Sequence, residues 1–248
     1  MIDEPLSSRW RYDLGHRKIF EFRSALGLPG DGPAPSSAVF AYGVVPGIAR
    51  ALTHPQVAAH RDDLRLARVE TVFASELDMR GELICTADLR IEDEVVAVVS
   101  CVDDRGARAV ATIHLSSGDA GDSPSESGAG VAEVSELRID PARCVAFAAA
   151  TWDLNPAYWD RELAELAGLG GVVAPPGLPF ALALDVIERG DGRPVSAVDV
   201  HFDRAARPGD VLHLHVSRSR HDLRFMVTGD EMTVLRGEAV LGRGEAAL

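Results

Sequence analysis

The chain has 248 residues, 46% of them hydrophobic and 6% aromatic, and a formal net charge of −13. That length supports one large domain or two modest ones with real cores, and the composition is that of a soluble globular protein. The negative charge is spread along the chain and no basic stretch is dense enough to meet phosphates, which argues against nucleic acid; no apolar run approaches the roughly 20 residues of a membrane span.

The N-terminal MIDEPLSSRW lacks the apolar core of a signal peptide. Cys85, Cys101 and Cys144 sit in apolar surroundings without metal-type or redox-type spacing, which predicts buried free thiols in a cytoplasmic protein. From Trp10 to Leu28, residues Ile19, Phe20, Phe22, Ala25 and Leu26 are spaced for one face of a helix. Residues 29–35 read as a Gly/Pro loop. Phe40 to Leu52 reads as a helix starting near Pro46, the first half's counterpart of a central helix. Strand-like runs follow at Leu64 to Phe73, Leu83 to Ile91, Val95 to Val102 and Ala107 to Leu115, with turns at Asp78–Gly81 and Asp103–Gly106. The stretch SSGDAGDSPSESGAG is small and acidic with no apolar period, so it reads as a flexible connector. The expected division is a first domain over 1–117, a linker over 118–132 and a second domain over 133–248.

The second half carries the chemistry. FAAATWDLNPAYWD predicts a helix, a polar turn at Asp153-Leu154-Asn155-Pro156, and a further helix from about Pro156 to Ala167 with proline where a missing N–H costs nothing. Gly168, Gly170 and Gly171 end it, and Pro175-Pro176-Gly177 lead into an apolar helix from Leu178 to about Ile187. Strands are expected at Val195 to Asp203, Val211 to Arg218, Leu223 to Thr228 and Thr233 to Leu241, with turns at Arg207–Asp210 and Thr228–Glu231. The same order in both halves suggests duplication of one fold. A helix apolar nearly all round is one that a sheet wraps, and joining two such sheets edge to edge removes exposed strand edges.

Phe147, Ala148, Thr151, Asp153, Asn155, Pro156 and Asp160 resemble the motif of the MaoC-like hydratase/dehydratase family, (F/Y)-A-x-x-(S/T)-G-D-x-N-P-x-H-x-D, which precedes a glycine-rich segment and a His-Gly that opens the central helix. Two motif positions differ: Tyr158 stands at the family's catalytic His and Trp152 at its Gly. Gly177 survives, but prolines precede it. The resemblance implies an α+β double hot-dog fold with the catalytic motif in the C-terminal half and a first half that shapes the substrate tunnel. It also implies proton transfer on a 2-enoyl or 3-hydroxyacyl thioester whose carbonyl is polarised by a helix-start amide.

Asp153 is the expected acid/base, with a helix cap as its structural alternative. Tyr158 is either a proton donor or an aromatic wall, because a phenol near pKa 10 is a poor base at neutral pH. Trp152 either narrows the cavity or turns outward. Trp152, Asn155, Gly177 and Leu178 are the expected substrate-binding residues; Asn155 is also expected to cap the helix that follows, and Asp160 to meet a helix dipole. The amide donor must come from Gly177 or Leu178, since proline has none. His213 and His215 share a strand face but have no third ligand, so a pair without metal is expected; a displaced catalytic histidine among His16, His54, His60, His114, His201 and His221 stays open. No phosphate-binding pattern is present, so neither a nucleotide cofactor nor a metal is expected.

Three functions fit these residues. The first is a hydratase or dehydratase acting on an acyl-thioester or polyketide-like substrate carried by coenzyme A or a carrier protein. Arg204 and Arg207 then either meet the carrier's phosphopantetheine or are simply solvated. The second is a redirected cyclase or isomerase that uses Asp153 in a reshaped pocket, and the third a non-catalytic binding partner. A tandem double hot-dog should be self-sufficient as a monomer or simple homodimer.

Overall fold

The computed structural model describes residues 6–30, 34–58, 64–73, 81–91, 94–117, 133–219, 222–230 and 232–242. The expected linker, residues 78–80 of the first expected turn, residues 31–33 of the first loop, His60, His221 and Glu231 lie outside them.

The chain begins with a strand, β1 (Leu6–Asp13), and only then a helix, α1 (Gly15–Ala25). The helix expected from Trp10 is corrected accordingly. Arg9-Trp10-Arg11-Tyr12-Asp13 alternates in the period of a strand, Trp10 pointing inward opposite Cys85, and Gly15, the first residue of α1, takes a positive φ of 50°. The central helical run of this half also starts earlier than Pro46. It is made of α2 (Ser37–Val39), a π-helical turn (Phe40–Val44) and α3 (Val45–Thr53). Pro46 cannot donate to the Tyr42 carbonyl four residues before it, and the chain answers by widening the preceding turn. The half continues through α4 (Pro55–Ala58) and four strands: β2 (Leu64–Phe73), β3 (Glu82–Ile91), β4 (Val95–Asp103) and β5 (Arg108–Ser117).

The second half repeats this plan. A strand that sequence reasoning missed, β6 (Glu133–Arg138), precedes α5 (Pro141–Thr151), α6 (Arg161–Leu166) and the central helix α7 (Gly177–Asp191). Four strands follow: β7 (Val195–Phe202), β8 (Val211–Arg218), β9 (Asp222–Gly229) and β10 (Met232–Leu241). The described strands form one ten-stranded sheet in the order β1-β3-β4-β5-β2-β7-β10-β9-β8-β6. Reading each half from its outer edge gives the same order, and the two meet where β2 pairs antiparallel with β7. This is the α+β double hot-dog. Across the seam Arg68 donates to both carboxylate oxygens of Asp199, at 2.8 and 2.6 Å, and holds that carboxyl below its usual pKa.

The two central helical segments are buried against the sheet. On α7 every residue from Gly177 to Asp185 is buried, as is Ile187. Each such Leu, Ile or Phe side chain contributes roughly 1.5–3 kcal/mol of burial free energy. In the first half the strands alternate cleanly, with Val95, Ala97, Val99 and Cys101 of β4 facing inward. Cys85 and Cys101 lie directly opposite one another on β3 and β4, their sulfurs 3.1 Å apart, as buried free thiols.

Candidate active site

The site is built on how α5 begins and ends. Asp140 caps its start, accepting from the amides of Ala142 (2.7 Å) and Arg143 (3.4 Å), and Pro141 occupies the first turn. At the far end Trp152 adopts a left-handed conformation (φ 58°), and the amides of both Trp152 and Asp153 return to the Ala148 carbonyl. The chain thus leaves the helix in a tight hook that presents Asp153. Asn155 then caps a 3-10 turn (Pro156–Tyr158), its side-chain oxygen accepting from the Ala157 amide at 3.0 Å. Asp160 caps α6 by accepting from the Leu163 amide at 3.1 Å. The single helix expected from Pro156 to Ala167 is therefore two elements, because Trp159, at φ −145° and ψ −13°, leaves helical geometry and Asp160 starts a new cap.

These caps leave Asp153 free for other work. The Tyr158 ring is buried in a small cluster with Ala148, Ala157, Ala164 and Val173, and its hydroxyl donates to Asp153 Oδ2 at 2.8 Å. Burial raises the Asp153 carboxyl above its ordinary pKa, and the Tyr158 hydrogen bond offsets part of that rise. The phenol is pushed well above its usual value, first by burial and then by the neighbouring carboxylate. The proton of this pair therefore rests on Tyr158, the donor, and Asp153 is the acceptor. No histidine among the described residues bonds to Asp153, and its Oδ1 has no hydrogen-bond partner there.

Gly177 opens α7. The Leu178 amide is taken by the Pro175 carbonyl at 2.9 Å and Pro179 has no N–H, so among the described residues Gly177 supplies the uncommitted donor of this helix start. A Cβ on Gly177 would lie 2.8 Å from the Phe40 ring and 3.3 Å from that of Phe147. The backbone here is walled by aromatic carbon, and only glycine fits without displacing it. The Val173 amide binds the Ala157 carbonyl at 3.2 Å, so the segment leading to Gly177 is anchored beside Tyr158.

Trp152 turns outward: it is 65% exposed, with the Lys18 ammonium 5.2 Å from its ring centre. A non-glycine residue in the left-handed region costs roughly 1–2 kcal/mol. We expect Trp152→Ala, which loses the cation contact and keeps the strain, to be less stable than Trp152→Gly by about 1 kcal/mol in urea unfolding. Arg207 is not a free cation; it donates to the carbonyls of Leu169 and Gly170, at 3.0 and 3.2 Å, and ties down the glycine-rich loop. His215 bonds Thr228 at 3.0 Å, and His213 is exposed on the same strand face.

Residues 122–238 match the family of the MaoC like domain, slightly less than half of the chain. The C-terminal half thus matches a MaoC like domain. No curated protein matches it by sequence. Among solved structures it resembles the peroxisomal multifunctional enzyme type 2 from Drosophila melanogaster, at 16% identity and a TM-score of 0.75, over 95% of this chain but 48% of that one. The chain thus spans about half the length of that enzyme. HtdX of Mycobacterium tuberculosis is similar at 16% identity and a TM-score of 0.74, over 94% of this chain and 98% of that one. An acyl-ACP thioesterase from Bacteroides thetaiotaomicron matches at 10% identity and a TM-score of 0.62, over 95% and 98% of the two chains. At such identities the likeness is one of fold. The matched model is that of a MaoC-type dehydratase domain. No helix among the described residues is long and apolar enough to cross a membrane.

Proposed function

We propose that this MaoC-like protein catalyses the reversible hydration of a 2-enoyl thioester, and equally the dehydration of a 3-hydroxyacyl thioester, at Asp153, Tyr158 and Gly177. The observation that carries the reading is the 2.8 Å hydrogen bond from Tyr158 to Asp153 Oδ2, which fixes the carboxylate with Oδ1 free of protein partners among the described residues. In the hydration direction Oδ1 takes a proton from water as the oxygen adds to C3. The electron pair displaced from the double bond moves toward the thioester carbonyl, where the Gly177 amide meets the developing enolate. Asp153 then returns its proton to C2, so hydrogen and hydroxyl add across one bond and the enzyme is regenerated. Tyr158 stays protonated throughout and orients the carboxylate. The proposed roles of Asn155 and Leu178 are to hold the turn and the helix start, and that of Trp152 is to edge the entrance.

The acyl group would arrive on coenzyme A or a carrier protein in the cytoplasm, with polyketide-like chains within the same chemistry. The test is to follow enoyl absorbance on a panel of short and long 2-enoyl thioesters with the wild type and Tyr158→His. Turnover by the wild type supports the proposal. A silent wild type with turnover appearing in Tyr158→His would transfer the site to cyclisation or isomerisation of larger substrates, and silence in both would leave a binding protein.

A further inference from the structure

We propose that the π-helical turn of the N-terminal half positions the C-terminal site, with Tyr42 acting as a positioning residue on the Asp153 hook through the carbonyl of Ala150. The two halves meet here through one hydrogen bond 108 residues apart in sequence: Tyr42 Oη lies 3.2 Å from the Ala150 carbonyl and also 3.2 Å from that of Lys18 on α1. The last carbonyls of a helix have no donor within it, and Ala150 is in the last turn of α5, two residues before Trp152 and three before Asp153. Tyr42 supplies that missing donor from the other half of the molecule.

A hydroxyl has a single proton, so Tyr42 shares it between α1 and α5 and couples the two. The ring is held by Tyr12 at 5.9 Å and Phe22 at 5.8 Å, and Phe22 also packs on Phe147 of α5. The side chain is 1% exposed, and burial raises its pKa, so it remains a donor. Two residues earlier in the same turn, Phe40 packs against Phe180 in a tilted arrangement with ring centres 5.0 Å apart, and it walls Gly177. One widened helical turn therefore touches both components of the site, the carboxylate hook through Tyr42 and the amide through Phe40. Nothing in the MaoC-like motif itself points to either residue.

The kinetic part of the inference rests on the proposed hydration; the structural part does not. Tyr42→Phe keeps the ring and removes the donor. The expected result is a fall in kcat of about tenfold to a hundredfold, as a small displacement of a reacting group produces, with KM within about twofold. The amides of Asp153 and Tyr158 should exchange with solvent about tenfold faster. Val216→Ala on β8, whose strand partners are Glu133 and Phe225, serves as a control for general loss of stability and should change neither kcat nor those exchange rates. Unchanged kcat and exchange in Tyr42→Phe, or an equal loss in the control, would overturn the positioning role. If the wild type hydrates no enoyl thioester, the proposed function fails, and the exchange rates alone decide for or against Tyr42.

Discussion

Asp153→Asn should abolish hydration while making the protein more stable at neutral pH. The loss follows from removing the base: an amide takes no proton from water, and general acid–base catalysis is worth on the order of 10²–10⁴ in rate. The gain in stability follows from burial. Asp153 has a folded pKa raised above its unfolded value, chiefly by desolvation, so the folded state holds its proton more tightly than the unfolded chain does. That preference favours folding fully below the unfolded carboxylate pKa and is lost as pH rises through the folded one. At neutral pH the ionised group therefore opposes folding, and asparagine, which can still accept from Tyr158, removes the cost. Thermal melts from acidic to neutral pH should show the variant drawing ahead of the wild type only above the carboxylate range. A carboxylate that served merely as a cap would give neither effect, since asparagine caps a helix about as well as aspartate and activity would be spared. The structure gives the capping to Asn155 and Asp160, which separates the two roles.

Much of this arrangement is visible in the sequence because its causes are local. Asp153, Asn155, Pro156 and Asp160 encode their own hook, cap and helix start, and the apolar circumference of α7 announces a helix that a sheet surrounds. Two kinds of feature escaped. β1 and β6 are the outer strands of the sheet, and an edge strand needs few inward apolar residues; in β6 Leu137 is the buried one, set among charged neighbours. The other is any contact made between the halves. Tyr42 lies in an apolar run, FAYGVVPG, that reads as ordinary core, and only the folded chain brings its hydroxyl to Ala150. Pro46 is the local signal of this turn: a proline inside a helical run removes the amide that the Tyr42 carbonyl would otherwise meet one turn back, and that carbonyl accepts from the Cys85 thiol instead.

Tyr158→Phe isolates what the phenol does for the carboxylate. The ring keeps its place among Ala148, Ala157, Ala164 and Val173, so the fold should be retained. Asp153 loses the one hydrogen bond that lowers its pKa, leaving desolvation unopposed, and its pKa must rise further. Hydration needs the ionised carboxylate, so activity climbs with pH as Asp153 loses its proton. In Tyr158→Phe that ascending limb of the pH–rate profile should lie at higher pH than in the wild type. Near neutrality the variant should be slower by about a hundredfold, part of the loss being disorientation of a carboxylate that no longer has a fixed oxygen. Raising the pH should recover the part due to protonation and not the part due to orientation. Tyr158→His should behave differently, because imidazole both orients the carboxylate and exchanges protons near neutrality. A Tyr158→Phe profile that falls in height without moving along the pH axis would show that the phenol only steers Asp153 and does not set its charge. A profile identical to the wild type would remove Tyr158 from the chemistry and leave it as a wall of the pocket.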